Sequence, residues 1–155
     1  MLTKRFVTAA FGLMLSIPAL TGVASAGDNR VLVAYLDGGN ELPALGDPDA
    51  FGSATVTLVT ATSLCFTITV QNLGAAGAPV AATAAHIHTG NAGVAGGLFV
   101  PLAVNATVPF RIANCIAVVP AATITALRGN PGGFYVNVHT AALPAGAVRG
   151  QLQPE

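Results

Sequence analysis

Three histidines are the residues of this chain best suited to chemistry, and they fall in two short stretches. The first is Ala85-His86-Ile87-His88-Thr89-Gly90 and the second is Tyr135-Val136-Asn137-Val138-His139-Thr140. In an extended strand, successive side chains point to opposite faces, so His86 and His88 share one face and Ile87 takes the other. The second stretch alternates likewise. Tyr135, Asn137 and His139 lie on one face, and Phe134, Val136 and Val138 on the other. If the two strands are neighbours in one sheet, three imidazoles converge. Neutral imidazoles bind borderline metals, with copper(II) above zinc at a given nitrogen site. Three without a fourth protein ligand leave an open coordination position, the arrangement of a reactive or exchangeable ion rather than a closed structural zinc. The competing reading is two ordinary half-buried strands whose histidines bond to backbone or face water.

Arg149 is a supporting candidate. In Val148-Arg149-Gly150-Gln151-Leu152, alternation separates Arg149 and Gln151 from Val148, Gly150 and Leu152. A guanidinium so placed can hold backbone carbonyls or a carboxylate near the histidine face, or it can simply face solvent. Tyr135 and Asn137 support the site from the polar face of their own strand.

The elements that must position these residues read as strands with Gly, Pro and Asn punctuation. Strands are expected over 31–36, 54–60, 65–70, 85–90, 98–102, 111–119, 135–140 and 147–152. A hairpin turn is expected at 61–63. Residues 74–84 lack a helical period and read as a loop. Pro101 argues for an edge or a strand end, because it cannot donate to a ladder. Only 120–127 looks helical, with Pro120 in the first turn and Gly129 able to end it. The fold class is therefore all-β: a single Greek-key β-sandwich or barrel domain with at most one short helix.

Residues 1–26 read as a cleaved secretory signal: Lys4 and Arg5 open it, 6–20 is almost wholly apolar, and Ala24-Ser25-Ala26 offers small residues for cleavage. The apolar run is short of the roughly 20 residues of a membrane span and Pro18 interrupts it. No membrane anchor is expected after cleavage. Residues 27–155 would form the domain, with four arginines against six carboxylates and no lysine. Clustered basic residues are needed to neutralise phosphates, so nucleic acid is a poor partner. In a secreted or periplasmic setting, Cys65 and Cys115 are expected to form a structural disulfide.

Other chemistries fit poorly. The glycine-rich stretch 90–97 is followed by no Lys-Ser or Lys-Thr, so it is read as a flexible turn rather than a phosphate cradle. Neither Ser53 nor Ser63 sits in a nucleophile elbow. Asp37, Glu41, Asp47 and Asp49 suit a hard cation in kind, but their spacing matches no calcium loop, and the plain reading is a solvated loop. Asn105-Ala106-Thr107 is a formal glycosylation acceptor.

The order of the motifs resembles the CHRD (chordin) domain family. The resemblance is carried by Ala85-His86-Ile87-His88-Thr89-Gly90, Gly96-Gly97, Tyr135-Val136-Asn137-Val138-His139-Thr140 and Pro144-Ala145-Gly146-Ala147-Val148-Arg149-Gly150-Gln151-Leu152. Gly38-Gly39-Asn40-Glu41-Leu42-Pro43 is similar to the family's opening turn. The resemblance implies an extracellular, Greek-key-like all-β domain; it implies no agreed activity for stand-alone microbial members. The spacing of His86, His88 and His139 is also similar to the copper ligands of copper-zinc superoxide dismutases, although the bridging histidine and the zinc-loop ligands are missing.

Two functions follow as expectations. One is a non-enzymatic binding or structural module that meets an extracellular or envelope partner through its loops, with the histidines either structural or ligands to one copper or zinc ion, and no other cofactor. The other is a copper carrier or copper redox enzyme of the cell envelope using His86, His88 and His139. No catalytic residue is assigned, and an enzyme is not favoured.

Overall fold

The structure, a computed structural model, describes residues 30–74, 78–105 and 109–155. The expected signal and its cleavage point lie outside the described residues, as do two residues of the 105–107 acceptor. Nine strands, one α-helix and two 3-10 turns make up the described chain. The strands are β1 (Arg30–Asp37), β2 (Phe51–Leu58), β3 (Leu64–Gln71), β4 (Ala82–Thr89), β5 (Leu98–Leu102), β6 (Phe110–Ile116), β7 (Phe134–Thr140), β8 (Val148–Gln151) and β9 (Gln153–Pro154). Helix α1 covers Ala121–Gly129.

All pairings are antiparallel, in the order β5-β4-β7-β8-β1-β2-β3-β6, with β9 added to β1. The sheet curls into a half-barrel. Alternation explains which way it curls. Leu32, Ala34 and Leu36 of β1, Val56 and Leu58 of β2, Phe66, Ile68 and Val70 of β3, and Val136 and Val138 of β7 are all buried on the inner face. The outer face of β2 and β3 carries Ser53, Thr55, Thr57, Thr67 and Thr69, the wet side expected of half-buried antiparallel strands.

Helix α1 is short, and packing holds it in place: Ile124 and Leu127 are buried in the core. Pro120 stands just before its first residue, where no N–H is missed. Strand β5 is an edge, in agreement with Pro101. The other edge is β6. Phe99, Val100 and Pro101 of β5 face Ile116, Val119 and Pro120 across a cleft of about 210 Å³, so the barrel stays open there. Cys65 and Cys115 are register partners on β3 and β6 and form a disulfide. That bond fits an oxidising compartment.

Boundaries differ from the sequence reading in places. Strand β2 begins at Phe51, three residues early, because its whole length pairs with β1. Strand β4 begins at Ala82, inside the expected loop, where Ala82 pairs with Thr140. Strand β9 gave no signal; two residues carry no readable period, and only β1 makes them a strand.

Candidate metal centre

Strands β4 and β7 are hydrogen-bonded neighbours, the condition the histidines require. His86 lies opposite Asn137, His88 opposite Tyr135, and His139 opposite Ala84. His86 and His139 are thus diagonal neighbours on one face, within reach of long or aromatic side chains. One nitrogen from each of His86, His88 and His139 lies within 4.8 Å of the others. Nδ1 of His86 stands 3.0 Å from Nε2 of His139.

Backbone carbonyls set the tautomers of two rings. A carbonyl can only accept, so Nδ1 of His139 carries its proton toward Pro144 O at 3.1 Å. Nε2 of His139 is then a lone pair, and Nδ1–H of His86 donates to it. Nδ1 of His88 likewise donates to Gly96 O at 3.1 Å. Its Nε2 is buried with no partner. His88 and His139 are each held through Nδ1 and keep Nε2 as the lone pair, the way metal-binding histidines are oriented by a partner behind the ring. Burial is the main cause that lowers the pKa of all three below 6.5; neighbouring histidines depress His86 and His139 further, and Arg149 adds to the effect at His88. The neutral form, which a metal requires, is favoured.

The polar face of β7 is not open to water. Tyr135, Asn137 and His139 are all buried, and each meets a covering segment: Tyr135 the loop at Gly96, Asn137 the turn at Glu41, and His139 the turn at Pro144. Loop 90–97 is pinned at several points, which corrects its reading as a flexible turn. Arg149 Nη2 donates to Asn91 O at 3.0 Å and to Val94 O at 2.8 Å. Gly96 N donates to the Tyr135 hydroxyl at 3.2 Å, and Gln151 Nε2 donates to Gly90 O at 2.7 Å. Alternation cannot show such a cover, since it reports only which side chains share a face.

Arg149 is 2 % exposed, so the solvent-facing alternative does not hold. Its guanidinium carbon lies 3.5 Å from the Tyr135 ring centroid, and His88 stacks on the same ring at 5.1 Å and 12°. The two come from strands on either side of β7, so Tyr135 is wedged between a cation and an imidazole.

The acidic loop is solvated at Asp37 and Asp49, as expected, but not throughout. Glu41 and Asp47 are buried. Asp47 Oδ2 accepts from Gly74 N at 2.6 Å, Asp37 Oδ1 accepts from Gly39 N at 2.7 Å, and Glu41 Oε2 accepts from Asn137 Nδ2 at 3.3 Å. The carboxylates serve separate turns rather than one cation. Glu41 reaches the histidine-bearing face. Burial pushes its carboxyl up to about 7, although the Arg149 charge and the hydrogen bond from Asn137 pull the other way. Its signal in the sequence is the turn Gly38-Gly39-Asn40-Glu41, which does not by itself say where the carboxylate goes.

Fold and site together define a half-barrel all-β domain with a loop-covered polar face bearing three convergent imidazoles. The chain belongs to the CHRD domain family, whose profile matches residues 32–152. That span takes in most of β1, all of β2 to β8 and every residue of the site. No curated protein and no solved structure matches the chain. Membership in the family suggests an extracellular binding or structural module.

Proposed function

We propose that this chain is a secreted or periplasmic, non-enzymatic metal-binding module in which His86, His88 and His139 hold one copper or zinc ion. The observation that supports it is the cluster of three imidazoles in which Nε2 of His88 and Nε2 of His139 are lone pairs, each set by a carbonyl behind its ring. Tetrahedral binding with metal–nitrogen bonds of about 2.0–2.1 Å places ligand nitrogens roughly 3.4 Å apart. The His86–His139 pair is already that close at 3.0 Å, and one nitrogen of His88 lies within 4.8 Å of both. The proton that His86 now gives His139 must move to the far nitrogen of His86 or leave. A fourth position stays available to solvent, a small ligand or a partner's side chain.

His86 and His88 are only half-buried, which gives an ion a way in and out. That feature favours, as a second reading, a carrier that delivers copper to an envelope partner. Calorimetric titration of metal-free protein with copper(II) and zinc(II), beside His139→Ala, tests the site. One equivalent should bind the native protein, and the variant should lose at least tenfold in affinity. Equal, weak binding by both proteins rules the site out.

A further inference from the structure

Three polar side chains beside the histidines are buried and incompletely bonded. Glu41 is 2 % exposed, Asn137 3 % and Arg149 2 %. Glu41 Oε1, Asn137 Oδ1 and Arg149 Nη1 are each buried without a hydrogen-bond partner. They are close to one another. Asn137 links the three: it donates to the other Glu41 oxygen at 3.3 Å and is the register partner of Arg149 across β7 and β8. Yet Oε1 and Nη1 bond neither to each other nor to anything else.

Orphaned groups of this kind are costly, about 1–3 kcal/mol each and more when charged. The chain nevertheless makes room for them. At Gly146, whose φ is +153°, a Cβ would fall onto the Glu41 carboxylate, and at Gly46 it would lie 2.7 Å from Glu41 Cγ. Gly146 therefore admits the carboxylate, and Gly46, tight against the Ala147 carbonyl, admits its stem. Buried polar groups left over by the protein are ordinarily met by a bound molecule, which needs two to four polar partners.

We infer that Glu41, Asn137 and Arg149 form a second buried binding site, separate from the three histidines, that holds one water molecule. The complementarity is specific. Nη1 can only donate, Asn137 Oδ1 can only accept, and Glu41 Oε1 accepts when ionised and donates when protonated. A water takes the bond from Arg149, gives one to Asn137, and uses its remaining hydrogen or lone pair for either state of Glu41. An anion would face the carboxylate, and a cation would face the guanidinium. Only a small molecule that both donates and accepts satisfies the cradle throughout.

The site rests on none of the proposed metal ligands, so failure of the metal titration would leave it standing. A crystal structure of the metal-free folded protein grown at pH 8, at a resolution that orders solvent, tests it. One peak is expected within about 2.7–3.2 Å of Oε1, Oδ1 and Nη1 together. In solution, the Asn137 side-chain amide should show a direct cross-relaxation signal to a long-lived water. A direct Glu41–Arg149 ion pair, a protonated Glu41 bonded straight to Asn137 Oδ1, or a gap without density would each overturn the inference.

Discussion

Arg149→Lys keeps the charge and changes only its shape, so it isolates what the planar guanidinium does. One nitrogen, Nη2, holds the carbonyls of Asn91 and Val94, while the plane of the group lies against Tyr135. An ammonium on a flexible stem can reach one of those carbonyls but cannot hold both and stack as well. Losing one charge-assisted hydrogen bond in a buried setting costs about 1.5–3 kcal/mol. Losing the stack adds about 1 kcal/mol. The expected destabilisation is thus about 2.5–4 kcal/mol, read as a lower midpoint in urea unfolding with an unchanged slope. The effect should also reach His88, because loop 90–97 supplies the Gly96 carbonyl that orients its ring. Copper(II) affinity should fall by about tenfold even under conditions where the variant is fully folded. A midpoint shift worth less than about 0.5 kcal/mol, the range of ordinary surface substitutions, would refute the reasoning.

Three further outcomes are expected. Glu41→Gln should remove a pH dependence: a carboxyl raised from 4.5 to about 7 favours folding below 4.5 and loses that contribution as pH rises to 7. At pH 8 the variant should therefore be more stable than the native protein by up to about 3 kcal/mol, with the difference vanishing near pH 4, measured by unfolding across that range. Metal affinity should fall as pH drops through the lowered histidine values, so the fall should begin below 6.5 in a calorimetric pH series. Replacing Cys65 and Cys115 together by alanine opens a loop spanning a separation of 50 residues and should cost about 4 kcal/mol in denaturant unfolding.

Much of the fold was legible because its strands alternate. The inner and outer faces of β3 and β7 can be read directly from Leu64-Cys65-Phe66-Thr67-Ile68 and from Phe134-Tyr135-Val136-Asn137-Val138. Edge status for β5 came from a single proline. The shared histidine face was legible for the same reason, but adjacency of β4 and β7 was not. Pairing between strands 53 residues apart depends on how the sheet closes, and local period carries no record of that. Glu41 was illegible for a related reason. Nothing in a run of Gly and Asn says that a turn will fold back over a sheet and bury its one carboxylate. Gly146 and Gly46, which let that side chain in, look like ordinary loop glycines until the packing is known.

The position of β1 governs the order in which this chain can fold. Made first among the strands, β1 ends in the middle of the sheet, with β2 on one side and β8 and β9 on the other. Asp37 pairs with Arg149, and Val33 with Gln153. During synthesis the hairpin β1-β2 can form at once, but its second edge must wait for nearly the last residues of the domain. Until then a row of backbone donors and acceptors on an apolar strand stands unmatched, the kind of surface that recruits a second chain. Such long-range pairing predicts slow folding for a domain of this size. Truncation before β8 should then yield aggregates rather than a smaller folded domain, since it removes Arg149 together with the strand that completes the sheet's centre.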